Sequence, residues 1–181
     1  MHYGKIIYYD TGNGLGCRTT LFVSGCRHHC KNCFNPMTWD FQYGIPYTKD
    51  VKRQILKSLQ PDYIQGLTIL GGEPFEPENQ EDVLDLVTSV KKKYPNKNIW
   101  IYSGYTWDEL MGETCEKFQH MSTETSIQNC KNILKQIDIL VDGEFKEELY
   151  NIALKFKGSS NQRIIDVKET LERDVMCEIK L

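Results

Sequence analysis

The sequence predicts an α/β fold, an open or partial (βα) barrel of about five or six mostly parallel strands. Two observations predict it. Short β-branched and aromatic runs alternate along the chain with amphipathic runs at helical spacing, and strand–helix–strand repetition implies parallel strands with right-handed crossovers. The chain is also 181 residues long, well short of the roughly 250 that a closed eight-stranded barrel uses. With 40% hydrophobic residues, that length provides one core. No low-complexity linker or internal repeat divides it, so 1–181 reads as a single domain.

The elements follow from local pattern. Lys5 to Tyr9 (KIIYY) and Thr19 to Ser24 (TTLFVS) have strand composition. Thr48 can cap a helix to about Leu59, with Val51, Ile55, Leu56 and Leu59 at helical spacing, before Pro61 and Asp62 break it. Gly66 to Leu70 (GLTIL) reads as a buried strand. Asn79 to Lys93 gathers Val83, Leu84, Leu86, Val87 and Val90 on one side and stops at Tyr94-Pro95-Asn96, which predicts an amphipathic helix. Then come a strand at Asn98 to Ser103, a short helix from Thr106 and a longer one around Ser126 to Gln136. Strands at Asp138 to Val141 and Arg163 to Val167 close the series. In such sheets the functional loops lie at the carboxyl ends of strands, which picks out CRHHCKNC, GGEP, SGYT and DGEF, with the turn before RIIDV.

Charge and hydropathy narrow the function classes. The formal net charge is −3, with 22 basic and 25 acidic residues mixed along the chain, so no basic block marks a nucleic-acid partner. No apolar run reaches the roughly 18 to 20 residues of a membrane span, and MHYGKIIYYD lacks the features of a secretory signal. The chain reads as soluble and cytoplasmic. It contains seven cysteines; three crowd into one loop, while Cys17, Cys115, Cys130 and Cys177 stand singly. That distribution points to metal chemistry for the loop and to small hydrophobes elsewhere.

The crowded loop is C-x3-C-x2-C, formed by Cys26, Cys30 and Cys33. Three soft thiolates favour an iron–sulfur cluster or zinc. A structural zinc site usually closes with a second ligand pair, and no second C-x2-C or H-x3-H follows. A [4Fe-4S] cluster can leave one iron free of cysteine and open to a small molecule. Both metals stay open on spacing alone, as does a non-catalytic zinc knuckle organising a docking surface. His28 and His29 read as solvent-facing residues or as neighbours that set the cluster's hydrogen bonding. Trp39 and Phe41 read as cover for apolar surface that keeps water out.

C-x3-C-x2-C is similar to the cluster motif of radical S-adenosylmethionine enzymes. In order along the chain, GLGCRTTLFVSGCRHHCKNCFNPMTWD, GGEPF, IYSGYTWDEL, DILVDGEF and GSSNQRIIDV resemble one branch, the activating proteins of anaerobic (class III) ribonucleoside-triphosphate reductases. Two departures stand out. Many of these enzymes carry an aromatic residue before the third cysteine, where this chain has Asn32 and places Phe34 after it. DTGNGLGCR also replaces an Asp-Gly-Pro-Gly-like turn, which leaves Asp10 without an inherited role.

The resemblance implies a partial barrel of the radical S-adenosylmethionine type and a [4Fe-4S] cluster on Cys26, Cys30 and Cys33. S-adenosylmethionine would chelate the fourth iron. Reductive cleavage of the cofactor would yield methionine and a 5'-deoxyadenosyl radical, which would abstract a hydrogen from a glycine Cα of the reductase large subunit. An electron donor such as a flavodoxin would supply the cluster. Gly71, Gly72 and Glu73 are implied at the methionine amino group, with Glu73 as acceptor; the plain alternative is a Gly-Gly turn before a helix. Ser103 and Gly104 are candidates for the ribose or adenine; the plain alternative is that Thr106 caps the helix WDEL and Tyr105 packs. Asp142, Asn161 and Arg163 are candidates for the cofactor cleft or the partner channel, or else turn and surface-pair residues. A different glycyl radical enzyme as target is the neighbouring alternative.

Overall fold

The computed structural model describes residues 1–114 and 119–181. Two-residue alternation sorts the strand side chains onto two faces. Leu21, Val23, Leu67, Ile69, Ile99, Ile101, Leu140 and Ile165 enter the main core with helical Val51, Ile55, Val83, Leu86, Val87, Val90 and Ile133. The intervening residues face the other way. Trp100, Ile139, Val141 and Ile164 form a second, smaller cluster, against which Tyr102, Phe156 and Ile179 pack.

Among the described residues seven strands form one sheet in the order β3-β1-β2-β4-β5-β6-β7. They are β1 (His2–Asp10), β2 (Cys17–Val23), β3 (Ile45–Pro46), β4 (Ile64–Gly71), β5 (Asn98–Tyr102), β6 (Ile139–Asp142) and β7 (Arg163–Asp166). The helices are α1 (Lys49–Ser58), α2 (Pro77–Lys93), α3 (Trp107–Met111), α4 (Glu124–Leu134) and α5 (Val167–Arg173). Among the described residues no helix is long and apolar enough to cross a membrane.

The α/β expectation holds, and the expectation of five or six mostly parallel strands is corrected. Strands β2, β4, β5 and β6 are parallel neighbours, whereas β1 runs antiparallel to β2 and β3, and β7 antiparallel to β6. The sheet is open and mixed. Segment 11–16 is too short for the crossover that a parallel partner needs, so β1 and β2 pair as a hairpin. Between β6 and β7 the chain carries a 3-10 turn, Glu147–Leu149, and an antiparallel bridge of Tyr150 to Ser159 in place of a crossover helix, and it returns antiparallel. The seventh strand, β3, is a two-residue edge whose proline gives no pattern to read.

Helix boundaries follow their caps. Thr48 caps α1 by accepting the Val51 amide. Thr106 and Glu109 form a reciprocal capping box on α3, which stops at Gly112 with φ +80°. The expected last strand to Val167 ends one residue early, because Asp166 accepts the Glu169 amide at 2.9 Å and starts α5. Cys130 is buried core and Cys17 packs against that core; Cys115 lies outside the described residues.

Candidate functional site

The carboxyl ends of β2, β4 and β5 meet around one cavity of about 450 Å³, lined by Cys26, Cys30 and Cys33, by Gly71, Gly72 and Glu73, and by Ser103 and Gly104. The loop after β2 is pinned at its root: the Gly25 and Cys26 amides donate to the Thr38 and Trp39 carbonyls at 2.8 and 3.2 Å. Gly25 sits at φ +96°, and a Cβ there would lie 2.3 Å from the Phe41 ring, so only glycine fits under that ring. His29 and Asn32 take left-handed conformations, and the Cys33 amide closes a turn onto the Cys30 carbonyl at 3.1 Å.

Burial pushes the Cys26 thiol far above its ordinary value, with Glu73 and Glu76 adding to the rise. Burial and then Glu144 raise Cys30 to about 11. Both would be neutral thiols without metal, and binding a metal would displace their protons. Among the described residues no three His, Cys, Asp or Glu side chains gather closely enough to hold one metal ion. A [4Fe-4S] cluster asks for a different arrangement, in which each thiolate takes a separate iron. Three cysteines ringing a shared cavity provide that donor set.

Loop GGEP continues β4 directly. The Gly72 amide donates to the Val23 carbonyl and the Glu73 amide to the Gly25 carbonyl, each at 2.7 Å, so this loop lies flat against the root of the cysteine loop. A Cβ on Gly72 would stand 2.5 Å from the Gly25 oxygen. The Glu73 side chain is 1% exposed and accepts three hydrogen bonds: Ser103 Oγ at 2.9 Å, the Gly104 amide at 2.7 Å and the Phe75 amide at 3.0 Å. One carboxylate thus ties the loop after β4 to the loop after β5.

His28 completes this junction. Its side chain is 2% exposed, with Nε2 3.4 Å from Glu73 Oε2 and its ring 4.4 Å from that of Tyr105. The solvent-facing reading of His28 is therefore corrected; the ring fills the space left by Gly104, where a Cβ would lie 2.6 Å from it. Burial lowers the His28 pKa, but Glu73 outweighs it and leaves the imidazole above its ordinary value. His29 is exposed and stacks on Trp39, centroids 4.6 Å apart.

Asp142, Asn161 and Arg163 lie next door, in a polar pocket of about 420 Å³ that shares Gly104 and Gly143 with the first cavity. Asp142 is buried and accepts from the Trp107 amide at 2.7 Å and from Arg163 Nε at 2.9 Å. Asn161 donates to the Glu144 carbonyl at 2.9 Å. Asp10, without a role in the sequence reading, accepts the Gly12 amide and Asn13 Nδ2 at 2.8 and 2.7 Å; this turn brings Gly12 and Asn13 to the cavity.

A family model described as "4Fe-4S single cluster domain" matches residues 12–165. An anaerobic ribonucleoside-triphosphate reductase-activating protein from Enterobacteria phage T4 is 35% identical over 164 residues, covering 91% of this chain and 93% of the relative. Relatives of the same name from Escherichia coli (strain K12) and Vibrio cholerae serotype O1 are 37% and 40% identical, covering 90% and 91% of this chain and 96% and 97% of themselves. The chain belongs to this activating-protein family.

Within the family frame, the iron–sulfur expectation rests on the matched 4Fe-4S domain, which includes all three cysteines of the loop. Further cavity residues escape the sequence reading. Phe34, Tyr102, Phe145 and Phe156 contribute apolar walls. Phe34 and Phe145 meet at a tilt with centroids 5.3 Å apart, and Phe156 meets Trp100 edge-on at 5.6 Å. Phe34 and Phe145 immediately follow Cys33 and Glu144, and that adjacency to a motif is the one sequence signal they carry.

Proposed function

We propose that this chain activates an anaerobic ribonucleoside-triphosphate reductase by generating a glycyl radical on it, with a [4Fe-4S] cluster on Cys26, Cys30 and Cys33 and S-adenosylmethionine beside it. When bound, the cluster and cofactor supply one-electron cleavage of the sulfonium carbon–sulfur bond, giving methionine and the 5'-deoxyadenosyl radical that takes a hydrogen atom from the partner's glycine. One observation carries this reading: the cysteines, the Gly-Gly turn and the Ser103-Gly104 turn line a single cavity.

The residues divide the work. Gly71 and Gly72 let the turn lie against β2 and the cysteine loop and so present its backbone to the cofactor at the cavity wall. Glu73 holds the two turns in register and offers its remaining acceptor capacity to an ammonium group. Ser103 and Gly104 border the nucleoside position, and Asp142, Asn161 and Arg163 shape the adjoining polar pocket. Trp39, Tyr102, Phe145 and Phe156 wall the cavity and exclude water from radical chemistry. In this reading residues 1–181 act as one domain whose parallel β2, β4, β5 and β6 form the arc of a partial barrel. Its partners are the reductase large subunit and an electron donor such as a flavodoxin, with no nucleic acid or membrane involved and a cytoplasmic setting.

The direct test mixes reconstituted, reduced chain with the reductase and S-adenosylmethionine under anaerobic conditions. Release of methionine and 5'-deoxyadenosine with a glycyl radical signal on the reductase is the expected result. Cofactor cleavage without any protein radical would reassign the partner.

A further inference from the structure

We infer that Arg27 and Glu76 form a latch that positions Cys26, making the first cysteine the rigid corner of the metal loop and leaving Cys30 and Cys33 adjustable. The metal part of this inference rests on the proposed cluster. Arg27 follows Cys26 directly, and its amide donates to Glu76 Oε1 at 2.8 Å. Its guanidinium pairs with Glu76 Oε2 and reaches both oxygens of Glu78, Nη1 to Oε2 at 2.9 Å. The same guanidinium lies 4.4 Å over the Phe41 ring, and that ring covers Gly25. The residues on both sides of Cys26 are therefore clamped.

Glu76 has reason to hold its partner. It is 0% exposed at the start of α2, with Tyr105 Oη at 3.4 Å and His120 Nε2 at 3.3 Å. A carboxylate buried that deeply is costly without a cation, so Glu76 holds the Arg27 guanidinium although that side chain is itself 37% exposed. Neither Arg27 nor Glu76 lines the cavity, which makes them positioning residues rather than ligands. The other end of the loop is held differently: Lys31 and Asn32 both reach Glu147, and the side chains of Lys31 and Glu147 are 84% and 38% exposed. Exposed pairs of that kind contribute little. Exposure of the sulfurs follows the same gradient, with Cys26 buried and Cys30 and Cys33 half-buried.

The test compares full-length native chain with Arg27→Ala, Arg27→Lys and Glu147→Ala. Two quantities are read: hydrogen exchange of amides 25–29 in the iron-free protein, and chelator-driven iron loss from the reconstituted protein. Arg27→Ala should accelerate local exchange and iron loss by about tenfold, equivalent to about 1.4 kcal/mol, with exchange in β4 and β6 unchanged. Arg27→Lys should restore part of the protection and Glu147→Ala should leave amides 25–29 at native rates. Unchanged exchange at 25–29 in Arg27→Ala overturns the latch, as does an equal effect from Glu147→Ala. If Arg27→Ala does not fold, the size-conserving Glu76→Gln is read by the same criteria. A native chain that takes up no iron overturns the cluster reading alone, and the exchange data, which need no iron, still decide the latch.

Discussion

Glu73 Oε2 accepts the Gly104 amide at 2.7 Å across 31 positions of sequence, and through this bond the turn after β4 and the turn after β5 become one surface. A glutamine in its place would put an NH2 group against the backbone amide of either Phe75 or Gly104. Glu73→Gln should therefore destabilise the iron-free chain by about 1 to 3 kcal/mol and also weaken S-adenosylmethionine binding. Denaturant unfolding and a cofactor titration check both. Weakened binding with native stability would assign Glu73 to the ligand alone.

Gly72 is the point of closest approach between the Gly-Gly turn and the cysteine loop. A Cβ there meets the Gly25 and Thr38 carbonyl oxygens at 2.5 and 2.9 Å, and backbone cannot swing aside as a side chain does. Gly72→Ala should separate the two loops and lower cofactor affinity by at least about tenfold, as measured by titration of the reconstituted protein.

Asp142 and Arg163 form a pair in which the carboxylate is 1% and the guanidinium 28% exposed. Asp142→Asn leaves Arg163 short of its counter-charge and costs about 2 to 3 kcal/mol, below the full penalty of a wholly buried pair because Arg163 reaches solvent. Thermal unfolding of the iron-free chain reads this out.

Asp138 gives the chain a pH dependence. Burial raises its pKa, but hydrogen bonds from Lys168, Lys91 and the Ile99 amide outweigh that and hold it below 3.8. A depressed carboxyl contributes stability that is present above its unfolded value and lost as pH falls through the folded one. The native chain should therefore lose stability relative to Asp138→Asn as pH drops below about 4, with the difference at a plateau at neutral pH. A stability difference independent of pH across that window contradicts the assignment.

What the sequence makes legible has a physical pattern. The cysteine loop and GGEP can be read because each packs its chemistry into consecutive residues, and α1 and α3 because Thr48 and Thr106 are caps at the right spacing. Strand direction is less accessible: the short 11–16 connection implies the β1–β2 hairpin, but nothing between Asp142 and Arg163 announces an antiparallel return. The D-x-x-E of Asp166 and Glu169 marks α5, yet it is masked by the β-branched run before it. Arg27 and Glu76 are invisible in sequence, because the ion pair joins an exposed guanidinium to a buried carboxylate 49 positions away and each alone resembles a surface charge. The burial of His28 is hidden for a related reason, since its slot exists because Gly104 lacks a side chain.

The most direct test is the anaerobic paramagnetic resonance spectrum of the iron-reconstituted chain after reduction, recorded with and without S-adenosylmethionine, alongside a Cys30→Ala variant. The expected result is a reduced [4Fe-4S] signal that changes when the cofactor is added and is lost in the variant. A colourless protein holding stoichiometric zinc, or a cluster signal indifferent to the cofactor, would contradict it.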